Sequence, residues 1–90
     1  MSILKFRLHA DPLANALGEF VRGRREKLGM TVRQAADRAG LLPFHWIQLE
    51  LGSWVPDDND PDQEVIADAL DMNPVIVSFY ALVSREHQQG

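Results

Sequence analysis

Apolar and polar positions along this chain change period several times, and each change marks an element. Residues 3–9 alternate, with Leu4, Phe6 and Leu8 on one side and Lys5, Arg7 and His9 on the other. A two-residue period is that of a half-buried strand. A lone strand needs a partner, so this arm pairs elsewhere in the chain, pairs across a dimer, or stays loose. From Asp11 onward the period lengthens. Asp11-Pro12 has the residue types of a helix start. Leu13, Leu17, Phe20, Val21 and Leu28 then form one apolar stripe on a helix running through about Lys27. Gly29 follows a basic last turn, which suits the negative end of the helix dipole. Gly18 and Gly23 lie inside this helix and weaken it a little.

Thr31 is the N-cap of a second, short helix, VRQAADRA, that ends at Gly40. Residues 43–51 begin with proline and run to Gly52, the length of a third helix. The stretch WVPDDNDPD cannot continue a helix and reads as an acidic loop. A fourth helix starts at Asp60-Pro61 or Asp62, with Val65, Ile66, Ala69 and Leu70 as its apolar positions. Asn73-Pro74 starts a fifth, with Ile76, Phe79, Tyr80 and Val83 on one face and Val75 and Leu82 beside it. The final HQQG reads as a frayed end. The fold class expected is all-α, five helices in one domain over residues 13–90, preceded by a strand or arm at 1–12.

Composition narrows the function classes. Ninety residues with 46% hydrophobic content make one small domain, too short for a large catalytic scaffold. With no cysteine there is no disulfide, thiolate nucleophile or cysteine-based metal centre. No apolar run is long enough to span a bilayer, and the first residues lack the apolar core of a secretion signal. The expectation is a soluble cytoplasmic protein. The net charge of −4 counts against nucleic acid only until it is divided. Residues 1–56 carry eight Lys/Arg and five Asp/Glu, whereas residues 57–90 carry Arg85 alone against eight Asp/Glu. The chain is therefore basic in its first part and acidic in its second.

The stretch from Thr31 to Gly52 carries the function. Two helices of about eight residues joined by a short turn with glycine make a helix-turn-helix. In such a unit the first helix braces the second, which projects its outer face into the major groove of DNA. Over LGEFVRGRREKLGMT, AADRAG, IQLELGSWVP and VIADALDMNP the sequence resembles the Cro/C1-type, or Xre-like, helix-turn-helix family. Leu17, Val21, Arg25, Gly29, Thr31, Ala36, Gly40, Glu50, Gly52, Pro56, Ala67 and Leu70 match that family in register. The resemblance implies a lambda-repressor-like domain in which Arg25 pairs with Glu50, tying the first helix to the third. It also implies a sequence-specific transcriptional regulator, a repressor acting as a homodimer on double-stranded DNA. The chain departs from the family at Val32, where glutamine is usual, and in a third helix that is more apolar than usual.

By register, the exposed positions near the third helix are Leu42, Pro43, Phe44, His45, Ile47 and Gln48. Phe44, His45, Ile47 and Gln48 are the candidate base-reading residues. His45 and Gln48 can hydrogen-bond, while the apolar ones can touch a thymine methyl. Arg22, Arg24, Arg33 and Arg38 are candidate phosphate contacts, or else simply solvated basic residues. Asp57, Asp58, Asp60 and Asp62 follow directly and repel phosphate. Trp46 and Ala35 read as core, a large residue set against a small one. Phe44 and Trp54 are either contact surface or rings buried against a loop.

A second class of function stays open. The scaffold can serve as a protein-docking module, an antitoxin, anti-repressor or adaptor, with Leu42, Phe44, Ile47, Leu51 and Trp54 as anchors. The dimer or partner surface is expected on Ile76, Phe79, Tyr80 and Val83, or on the strand at 3–9. His9, His45 and His87 have no ligand spacing, and the acidic run lacks the glycine and final glutamate of a calcium loop. Neither a nucleophile motif nor a phosphate-binding loop is present. No metal, no cofactor and no enzymatic activity are expected.

Overall fold

The computed structural model describes residues 11–88, an all-α arrangement with no strand among them. The strand expected at residues 3–9, together with most of the arm, lies outside the described residues. A 3-10 turn, Pro12–Asn15, leads into α1 (Ala16–Lys27), α2 (Val32–Ala39), α3 (Pro43–Leu51), α4 (Asp62–Ala69) and α5 (Pro74–Gln88). No single described helix is long and apolar enough to cross a membrane; α4 and α5 reach that length only as a pair bent by 118°.

Local chemistry sets the helix ends. Asp11 caps the 3-10 turn by accepting the Leu13 amide at 2.9 Å. The single helix expected from Pro12 is interrupted at Asn15, whose backbone leaves the helical region (φ −119°, ψ 37°). The cause is tertiary: the Asn15 amide turns inward and donates to the Glu50 carbonyl at 3.1 Å. Thr31 caps α2 with a reciprocal pair, its hydroxyl accepting the Gln34 amide while the Gln34 side chain accepts the Thr31 amide. Pro43 fills the first position of α3, where a missing N–H costs nothing. Gly29, Gly40 and Gly52, all at positive φ, close the first three helices.

The core is one cluster. Leu17 and Val21 of α1 meet Trp46 and Leu49 of α3, while Ile66, Ala67 and Leu70 of α4 and Val77 and Ala81 of α5 close it from the other side. Ala35, Ala36 and Ala39 leave room for the Trp46 indole, which is fully buried. α1 lies between α3 and α5, and α2 packs on α3 and α4.

On α5 the large apolar residues are not the packed ones. Val77, Ala81 and Ser84 face the core, and Ile76, Phe79, Val75 and Leu82 are exposed. The small residues let α5 approach closely enough for the Ser84 hydroxyl to accept the Leu17 amide at 2.9 Å. That contact satisfies one of the orphan donors at the start of α1. The end of α5 corrects the expectation of fraying as far as Gln88. His87 pairs with Asp11, and the Gln88 amide donates to the carbonyls of Ala14 and Gly52.

Candidate nucleic-acid interface

α2, the turn at Gly40 and α3 form the helix-turn-helix, and α3 has one fixed side and one open side. The fixed side is built on Glu50. Arg25 donates to it twice, Nε to Oε2 at 2.6 Å and Nη2 to Oε1 at 3.0 Å. The Trp46 indole N–H donates to the same Oε2 at 2.7 Å. Arg25 also donates through Nη1 to the Met30 carbonyl at 2.9 Å, so one guanidinium links α1, the α1–α2 connection and α3. Both side chains of the pair are largely buried. Hydrogen bonding to Glu50 pushes the Arg25 guanidinium above its already high ordinary value. Arg25 therefore stays charged at any ordinary pH. The bond from Trp46 goes beyond its expected role as core; its signal in the sequence is the four-residue spacing to Glu50.

The open side carries Leu42, Phe44 and Leu51, which are 65%, 63% and 69% exposed, with Ile47 also exposed between them. His45 is exposed and its ring lies 5.5 Å from that of Trp54, at a tilt of 35°. Gln48 is half-buried. Trp54 is half-buried against the core, so its ring is shared between core and surface, whereas Phe44 stands open. A small cleft between α1 and α3, about 150 Å³, is lined by Asn15, Glu19, Arg22, Ile47, Glu50 and Leu51.

The four arginines named as phosphate contacts do not gather into one patch. Arg22 borders the α1–α3 cleft, is exposed, and donates to Glu19 at 2.7 Å. Arg33 and Arg38 are exposed on α2, with the Arg38 guanidinium 3.8 Å from the Met30 sulfur. Arg24 is engaged elsewhere and corrects the expectation. Its guanidinium donates to the carbonyls of Leu70 at 3.0 Å and Asp71 at 3.1 Å, capping the end of α4 on the opposite flank of α1. No sequence pattern marks that role, because the partners are more than forty residues away.

The acidic loop after α3 is tied down from α5. Arg85 donates to the Pro56 carbonyl at 2.8 Å and pairs with Asp58. Gln63, itself buried, donates to the carbonyls of Pro56 and Asp57 and accepts from the Ser78 hydroxyl. One of the four loop carboxylates thus meets a cation directly. Among the described residues no three His, Asp or Glu side chains come together as a set of metal ligands.

No family model and no curated protein matches the chain. Among solved structures it is similar to the clp gene regulator ClgR from C. glutamicum, at 26% identity and a TM-score of 0.63. That match covers 82% of this chain and 94% of the other, so the likeness extends well beyond the two-helix unit.

Proposed function

We propose that this protein is a cytoplasmic transcriptional regulator that binds double-stranded DNA, with α3 in the major groove. The observation that carries the reading is the two-sided α3. Its inner side is held by Arg25, Glu50 and Trp46, while its outer side offers Phe44, His45, Ile47 and Gln48 to a groove. The likeness to a gene regulator supports the same reading. Gln48 and His45 supply hydrogen bonds to base edges, and Phe44 and Ile47 supply contact to thymine methyls. Arg22, Arg33 and Arg38 hold phosphates on either side, without Arg24. The regulator belongs to the Xre-like, Cro/C1-type family and works as a homodimer through the face of Ile76, Phe79, Tyr80 and Val83. It acts as a repressor by occupying a two-half-site operator.

Selection of bound duplexes from a random pool, followed by titration against salt, tests this. Gln48→Ala costs about 1–3 kcal/mol on the selected site and little on unrelated DNA. Arg33→Ala lowers affinity for all duplexes and reduces the salt slope by about one. Absence of any duplex binding at low salt defeats the proposal.

The exposure of Leu42, Phe44, Ile47 and Leu51 favours a second reading, a docking surface for an apolar protein partner, with Trp54 at its edge. Such binding collapses with Phe44→Ala and is nearly indifferent to salt, and the salt behaviour is the opposite of that expected with DNA.

A further inference from the structure

Gly23 stands in the middle of α1, exposed, at a position where no described residue requires a glycine. Its φ is not positive, and a Cβ built on it meets no atom within 4 Å. A glycine inside a helix lowers its stability relative to alanine. The remaining physical reason for one is close approach by something outside the described residues.

The surroundings say what approaches. Gly23 floors a groove of about 570 Å³ between α1 and the start of α5, walled by Phe20, Met72 and Ile76. Its lining also includes Glu19 and Lys27, four residues to either side of Gly23. When two copies of a helix cross antiparallel on a two-fold axis through one residue, the residue four before it faces the partner's residue four after it. Glu19 and Lys27 are therefore self-complementary about Gly23, while Arg24, which also lines the groove, is held by the Leu70 and Asp71 carbonyls. Beside the groove, Phe20 stacks on Tyr80 at 4.4 Å, and Phe79, 58% exposed, packs edge-on to Tyr80.

We propose that a second copy of this chain occupies the groove, with the two α1 helices crossing antiparallel at Gly23 and Glu19 pairing with the partner's Lys27 on both sides. The inference rests on the homodimer named above and assigns its axis. Glu19 already accepts from Arg22 through Oε1, which leaves Oε2 for the incoming ammonium. The exposed Ile76 and Phe79 then lie along the same interface and lose their water.

Sedimentation velocity of the full chain over a wide concentration range tests the proposal, with circular dichroism to follow folding. The parent protein is expected to dimerise. Gly23→Gln weakens the dimer by about tenfold or more, since a side chain now fills the crossing point. The same variant melts several degrees higher as a dilute monomer, because glutamine is the better helix former (about 4–8 °C for each kcal/mol gained). Glu19→Lys and Lys27→Glu each weaken the dimer, and the double exchange restores it. A parent protein that is monomeric throughout overturns the inference, as does a dimer indifferent to Gly23→Gln or a double exchange no better than the single ones. Retention of selected duplexes, measured on the same proteins, is a separate readout. Duplex binding by a protein whose dimer ignores these changes overturns the groove alone, whereas absence of all duplex binding by the parent protein overturns the DNA reading.

Discussion

Two glycines five residues apart on α1 have opposite surroundings. At Gly18 a Cβ would lie within 3.0 Å of the Leu49 and Glu50 carbonyl oxygens and of the Asn15 side chain, so α3 crosses α1 at backbone distance. At Gly23 the same atom would meet open space. One flank of α1 is closed by a glycine-sized contact and an ion pair. The other is an apolar groove that nothing among the described residues fills. The same residue type, with the same intrinsic cost to a helix, thus marks a finished interface on one flank and an unfinished one on the other.

The strongest way to break this comparison is at the closed flank. Gly18→Ala is expected to destabilise the fold by about 3 kcal/mol, because two of the three clashing atoms are backbone carbonyls that cannot rotate away. For a chain of this length that is a large share of a total of roughly 5–13 kcal/mol. An unchanged midpoint in urea would mean that α1 and α3 can separate freely. Next in size, Glu50→Gln leaves the largely buried Arg25 without its carboxylate and should cost about 2 kcal/mol in the same measurement. At the open flank the sign reverses. Gly23→Ala should stabilise the dilute protein by up to about 1 kcal/mol, and any loss there would show that Gly23 has a contact within the monomer.

The smallest effect expected is at the junction of the chain's described ends. Hydrogen bonding to His87, and then to the Leu13 amide, holds the Asp11 carboxyl below its ordinary value of 3.8. A carboxyl depressed in the folded state contributes stability that is complete above its unfolded value and disappears as pH falls through the folded one. The stability difference between the parent protein and Asp11→Asn should therefore narrow as pH is lowered below about 4. A constant difference from neutral pH to strong acid would remove the pair from the account of how α5 is fastened.

The elements legible in the sequence are those with local causes. Thr31, Gly40, Pro43, Gly52 and Asn73-Pro74 bound their helices because a cap, a positive φ or a missing N–H acts within a few residues. The Arg25–Glu50 pair came from family resemblance, and the geometry of this chain forms it in bidentate fashion. What escaped has distant causes. The 3-10 start exists because Asn15 reaches across to α3, and Arg24 is occupied by carbonyls at the end of α4. On α5, size suggested where the apolar interest lay, but close packing selected Val77, Ala81 and Ser84 for the core. Of the large residues left outside, Ile76 and Phe79 belong to the face named for a partner and Val75 and Leu82 lie beside it, while Tyr80 and Val83 of that face are half-buried. Of the outward set expected from register near α3, Leu42, Phe44, His45 and Ile47 are exposed while Pro43 and Gln48 are half-buried, and the Trp46–Glu50 bond that separates this side from the inner one depends on the tertiary packing.

Gln63 has a consequence for how this surface can vary. With all its polar atoms engaged by Pro56, Asp57 and Ser78, it clamps the stem of the acidic loop, and Arg85 secures Pro56 a second time. At the exposed tip, residues 57–59, the clamp uses the Asp57 carbonyl and the Asp58 carboxylate. Side-chain substitutions at Asp57 and Asn59 can therefore shift the electrical potential at the exit of α3 while the stem stays fixed. On the proposed DNA reading, recognition geometry and attraction to a polyanion are thereby set at separate places, the one on α3 and the other on a loop that can change without repacking a helix.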